Sequence, residues 1–229
     1  MDEGSARRTA GMAGIATGML LVIAFVVPGA PPAPDDPLGD ITSFFADKHN
    51  ALRLSLVLIS LAGAGFLVFL GVMVALIRSR EGAFAPYATV AALTGAATII
   101  AVTVTLSAFI GAAYRAGPDG NEQAVRALFD FSNALGTVVN ATGAVAMTAA
   151  SLAVRRFRLL PGWAATTGFV AAGLTAIGEL GLLGDKGAFA PGGIVAGLAP
   201  TAGALLWTVS WGAALLRSDA AANLPQQSV

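Results

Sequence analysis

Five residues in this 229-residue chain have polar side chains that could do chemistry where apolar ones would be expected. Asp130, Asn133, Thr137 and Asn140 follow one another at spacings of three, four and three, and Glu179 stands alone in a later apolar run. At 100° per residue the four occupy an arc of about 80°, so on a helix they form one stripe about 15 Å long. Carboxylates, carboxamides and hydroxyls arranged in this way can bind a polar solute, or move a proton between carboxyl and substrate. Inside a bilayer such groups are expensive to keep, which makes them the first place to look for function. A purely structural use competes with this reading. Asp130 would then pair with Arg53 or Arg126, Glu179 would pair with Lys186 or reach for the interface, and the asparagines would bond neighbouring helices.

Six apolar stretches carry these residues: roughly 11–27, 54–77, 88–114, 131–154, 162–183 and 193–216. Each approaches or exceeds the length of about 20 residues that crosses the hydrocarbon core. Composition agrees, with 56% hydrophobic and 11% charged residues; soluble domains carry about a quarter charged. The expected fold is therefore all-α, a polytopic membrane bundle of six transmembrane helices forming one domain over 1–229. The bilayer itself is its first partner.

Basic residues set the orientation. Arg7, Arg8, Arg78, Arg80, Arg155, Arg156, Arg158 and Arg217 fall on one side of a six-helix drawing, and Lys48, Arg53, Arg115, Arg126 and Lys186 on the other. The first set is larger and includes two compact clusters, so both termini are expected in the cytoplasm. Asp119 and Asp185 are among the carboxylates expected outside. Arg7-Arg8, an apolar run and Gly29-Ala30 also have the form of a signal peptide. The prolines throughout 28–34 suit signal peptidase badly, and the segment is read as a retained span. Arginine far outnumbers lysine and alanine is abundant, a bias of high-GC bacterial genomes; the expected location is the bacterial cytoplasmic membrane.

The longest outer loop is 28–50. Its proline-rich first half should be extended. Its second half places Ile41, Phe44 and Phe45 on one face of a short helix expected to lie at the outer interface. The segments 116–123 and 184–187 read as turns, and no gap between spans exceeds about 25 residues, too little for an inserted soluble domain. A faint parallel repeat pairs the second and third spans with the fourth and fifth, each pair returning through Pro86-Tyr87 or Pro161-Gly-Trp163. Small residues at Gly14, Gly18, Gly63, Gly65, Gly168, Gly173, Gly193 and Gly197 permit close helix contact, within one bundle or in a homo-oligomer. Pro200 removes the amide that would bond the Ala196 carbonyl and favours a kink.

Several functions are excluded. One histidine, His49, cannot supply paired haem ligands. No lysine lies within a span to form a retinal Schiff base, and no cysteine exists for thiol chemistry. No phosphate-binding glycine loop occurs, and zero net charge gives no field for nucleic acid. No cofactor or metal is implied. Thr94, Thr98 and Thr105 are expected to bond their own helix, and Trp207 and Trp211 to anchor at the inner interface.

The entry Arg53-Leu-Ser55 and exit Arg78-Ser-Arg80 of the second span cover about 30 residues. In these the chain resembles small, alanine-rich bacterial six-helix integral membrane proteins of unassigned function. The resemblance implies a fold class and no activity.

The functional expectation is a polar cavity open to the outside, lined by the fourth, fifth and sixth spans, with Asp130, Asn133, Thr137, Asn140 and Glu179 as its binding residues. Such a protein would be transport- or permease-like, or an accessory subunit of a membrane assembly, with a small molecule or lipid as ligand. The competing expectation is a membrane enzyme acting on a lipid or isoprenoid, with Asp130 or Glu179 as general acid. Glu179 is expected to face the stripe across a water-filled gap that the Pro200 kink helps to open.

Overall fold

The computed structural model describes residues 2–116, 120–184 and 186–222, with side chains to 218. The turn expected at 117–119, including Asp119, and the carboxylate of Asp185 lie outside the described residues. Seven helices account for most of the chain: α1 (Glu3–Val26), α2 (Leu38–Asp47), α3 (His49–Glu81), α4 (Pro86–Arg115), α5 (Glu122–Phe157), α6 (Gly162–Glu179) and α7 (Ile194–Ala222). Two 3-10 turns, Leu180–Leu183 and Gly187–Phe189, join α6 to α7. All except α2 are long and apolar enough to cross a membrane, so the protein is an all-helical, multi-pass membrane bundle.

The six spans pack in a ring, α1–α3–α4–α5–α6–α7, which closes where α7 meets α1. Missing side chains make that closure. A β-carbon added at Gly14 would stand 2.8 Å from the Thr208 carbonyl oxygen, and one at Gly212 the same distance from that of Gly11. Lipid offers no hydrophobic drive between helices, so such backbone proximity is what allows dispersion and weak polar contacts to hold them. Thr17 adds a hydroxyl bond to the Ala62 carbonyl of α3 (3.2 Å) and Ser55 one to that of Ala24. Gly18, Gly65 and Gly168 are also tightly met by neighbours, whereas Gly63, Gly173 and Gly197 have open space around them.

The arginine clusters gather at one end of the ring. There Glu3 pairs with Arg7 at 2.8 Å and lies 3.7 Å from Arg80. Arg7 also donates to the Leu159 carbonyl and to Ser218, tying α1 to the α5–α6 turn and to α7. The Glu81 carboxylate accepts from the amides of Tyr87 (3.0 Å) and Ala88 (2.8 Å), satisfying the free donors where α4 starts at Pro86. Arg156 lies over the Tyr87 ring, 6.0 Å from its centroid.

Two expectations are corrected in the core. Trp207 and Trp211 are not interfacial anchors: they are 1% and 0% exposed, with ring centroids 5.3 Å apart. Phe69 packs edge-on against Trp207, and the Trp211 indole N–H donates to the Ala164 carbonyl at 2.7 Å. They occupy the helix face toward α1, α3 and α6, where small residues leave room. Helix α2 forms at the end opposite the arginines, but its apolar face meets protein rather than lipid. Ile41 and Phe45 are fully buried, and Phe45 stacks on Phe109 (4.9 Å) and Phe129 (5.8 Å). The helix is a lid over α4 and α5, and the proline segment before it is non-helical but not extended throughout: it turns at Ala33–Asp36, where the Asp36 amide donates to the Ala33 carbonyl at 3.1 Å.

Candidate functional site

Helix α5 positions four of the five candidate residues and is the most buried span. Its N-terminus is capped by the Asn121 side chain, which accepts from the Ala124 amide at 3.1 Å. At its other end Arg158 adopts a left-handed conformation (φ 51°). With 36 residues at 1.5 Å each, α5 exceeds the hydrocarbon core of about 30 Å by roughly 24 Å.

Asp130 lies within α5, two turns from its start at Glu122. It is exposed and receives the Arg126 guanidinium at 2.9 Å. Arg126 in turn donates to the carbonyls of Pro34 (2.5 Å) and Asp36 (3.4 Å). The Asp130–Arg126 pair clamps the proline loop onto α5, one of the two pairings that the structural alternative allowed.

Asn133, Thr137 and Asn140 do turn inward, against the segment from α6 to α7. Asn133 is half-buried beneath Gly192, where a β-carbon would stand 2.5 Å from the amide oxygen. Gly192 also has φ 79°, so glycine is required there twice over. Thr137 is 3% exposed; its hydroxyl donates to the Asn133 carbonyl, and its methyl lies against Gly181. Asn140 is 6% exposed and fits between Gly178 and Pro200. A β-carbon at Gly178 would overlap the proline ring and approach the Asn140 amide nitrogen to 2.7 Å. One turn toward the arginine end, Thr175 is buried, bonded to the Ala171 carbonyl and in contact with the Met147 sulfur.

Two donors in this seam are unusual. The side-chain amide nitrogens of Asn133 and Asn140 are buried with no hydrogen-bond partner among the described residues. A buried donor without an acceptor costs about 1–3 kcal/mol. Pro200, inside α7, has no amide to offer the Ala196 carbonyl. Thr105 on α4 is a third unpartnered group, contrary to its expected backbone bond; Thr94 and Thr98 do bond their own helix, and Thr98 also meets Thr142 of α5.

Glu179 corrects the expected geometry most sharply. No water layer separates it from α5, because its carboxylate accepts directly from the Ala141 amide at 3.0 Å. Ala141 belongs to the lipid-facing side of α5, with Val138 and Val145. Glu179 thus closes the α5–α6 seam from its lipid-side rim, while Asn140 lies on the inner side of the same turn. The cause is local: α6 ends at Glu179 and tightens into a 3-10 turn, and Gly178 brings the backbones close enough for a short carboxylate to span the gap. The other residues missed by sequence reasoning are Gly178, Gly181 and Gly192, for which the signal was a glycine opposite each member of the stripe. His49 is half-buried, with Nδ1 3.4 Å from the Ala113 carbonyl. Among the described residues no group of three metal-ligating side chains occurs.

Comparison with family models, with curated proteins and with solved structures returned no match. The functional argument therefore rests on the geometry of the α5–α6–α7 seam.

Proposed function

We propose that the protein is a small transport- or permease-like membrane protein of the bacterial cytoplasmic membrane. The arginine end faces the cytoplasm, and the α5–α6–α7 seam is a solute path seen closed. One observation carries the reading: the amide of Asn140 is buried near Pro200, a proline inside α7, with no partner for its donor among the described residues. A solute with an acceptor oxygen, such as a carboxylate, carbonyl or hydroxyl, would satisfy that donor and Asn133 along the same stripe. Glycines line the facing surface, so α6 and α7 can slide against α5 without unlocking interdigitated side chains. Glu179 holds the seam shut through Ala141 and would release it on opening. The outward cavity belongs to that open state.

The test is a whole-cell uptake screen of small polar solutes in a strain lacking the chromosomal gene, complemented with wild type, Asn140→Leu or Glu179→Gln. Uptake restored by wild type and lost in both variants, at equal membrane abundance, supports transport. A reporter fused after Val229 that is active only outside the cytoplasm would overturn the orientation.

A second reading has one observation in its favour. Glu179 is half-buried at the lipid-facing rim, where an enzyme acting on a lipid or isoprenoid would place its acid. A change in membrane lipid composition that follows Glu179→Gln, with uptake untouched, would favour it.

A further inference from the structure

A groove lies far from the seam, at the arginine end, between the last turn of α5 and the first of α6. Its volume is about 590 Å³, within the range of small-ligand pockets. Arg155 and Arg158 stand over it, and Leu160, Ala165, Thr166 and Phe169 continue it along α6. The three arginines of this cluster are not used alike. Arg156 stacks between the Tyr87 and Phe157 rings at 6.0 and 5.7 Å. Arg155 and Arg158 are exposed, and their side chains make no hydrogen bond or ion pair among the described residues. Both guanidiniums therefore border the groove with their donors unspent.

Backbone conformation points to the same place. Arg158 takes φ 51° at the end of α5, a position where glycine is the least strained residue. An arginine there stands against the local preference of the chain, and its side chain borders the groove. Next, Pro161 and Gly162 begin α6, an 18-residue helix whose free amides add partial positive charge at the groove floor. Trp163, 42% exposed on the same turn, is the kind of residue that sits at headgroup level.

The lining is thus cationic at its mouth and apolar along the helix running into the membrane. That order is the order of a phospholipid: phosphate first, acyl chain after. A free phosphate would use the guanidiniums but not Leu160, Ala165 and Phe169. We infer that the groove binds an anionic phospholipid of the adjacent leaflet, its phosphate between Arg155 and Arg158 and its first methylenes along α6. Basic pockets between spans on the cytoplasmic side are suited to such headgroups.

The experiment uses the full chain in nanodiscs holding equal phosphatidylglycerol and phosphatidylcholine, released into native mass spectrometry to count retained lipids. Wild type is expected to retain phosphatidylglycerol at least five-fold over phosphatidylcholine. Arg155→Gln/Arg158→Gln should cut that retention at least ten-fold, at about five-fold per arginine. Thr166→Trp, which fills the groove without changing charge, should cut it comparably. Arg217→Gln, an exposed arginine of the same end, should leave it unchanged, and millimolar inorganic phosphate should not displace the lipid. Equal retention of the two lipids would overturn the inference. So would loss in the double arginine variant but not in Thr166→Trp, which is general basic attraction, or displacement by phosphate, which is a plain anion site. Coincident thermal unfolding of all variants keeps a folding defect from imitating lipid loss.

Discussion

The Glu179 carboxylate accepts a hydrogen bond at 3.0 Å from the main-chain amide of Ala141, a donor in the interior of another transmembrane helix. Interior helical amides are ordinarily committed to the carbonyl four residues back. A side chain that engages one from outside joins two helices at a point where neither can shift freely. Glu179→Gln keeps an acceptor for Ala141 and removes the charge; Glu179→Leu removes both. Glu179→Gln should therefore insert and unfold like wild type, and Glu179→Leu should be destabilised by about 1–3 kcal/mol. Thermal unfolding in detergent measures the difference, and equal stability of the two variants would deny the bond its role.

Asn140 makes the opposite prediction. Its amide donor is already unsatisfied, so Asn140→Leu, close in volume, should leave stability unchanged or raise it by up to about 1–2 kcal/mol while abolishing solute uptake. Loss of stability together with loss of uptake would show that the amide is a packing element.

Gly178 tests how tightly the seam is closed. Gly178→Ala places a methyl into Pro200 and Asn140 and should cost about 1–3 kcal/mol. Gly173→Ala, five residues earlier on α6 with nothing within 4 Å, should be neutral or slightly stabilising. A pair of equal melting temperatures would contradict the packing described.

The two core tryptophans should separate in the same way. Trp211→Phe removes the indole bond to the Ala164 carbonyl and leaves a gap, costing about 2–4 kcal/mol. Trp207→Phe removes an indole donor that has no partner and should cost less despite its equal burial. Chemical denaturation of each variant reads the order directly.

Spans, their number and the common end of the arginine clusters were legible from the sequence because hydropathy and charge act through the bilayer, a medium that hardly depends on tertiary detail. The full extent of α5 was not. The apolar run begins near Phe131, but the helix continues to Glu122, where Val125 and Phe129 pack under α2 and Asp130 pairs with Arg126 on the exposed side. The tryptophans misled for a related reason, since an aromatic near a helix end signals an interface only if its neighbours do not make a pocket for it. The inward turn of Asn133, Thr137 and Asn140 followed from helical periodicity alone. The reach of Glu179 to Ala141 did not, because it depends on where α6 stops and on how closely Gly178 lets it approach.

The central claim is that the closed seam opens toward the outside, and the absence of native cysteine makes it directly measurable. Thr137→Cys, buried in this structure, is treated in intact cells with a membrane-impermeant thiol reagent. Asp35→Cys in the exposed loop and the fully buried Ser151→Cys serve as limits. The account predicts that Thr137→Cys is labelled more slowly than Asp35→Cys but at least ten-fold faster than Ser151→Cys, and that saturating transported solute slows it. Labelling no faster than at Ser151→Cys, in protein shown to be folded and inserted, would contradict an outward-opening seam.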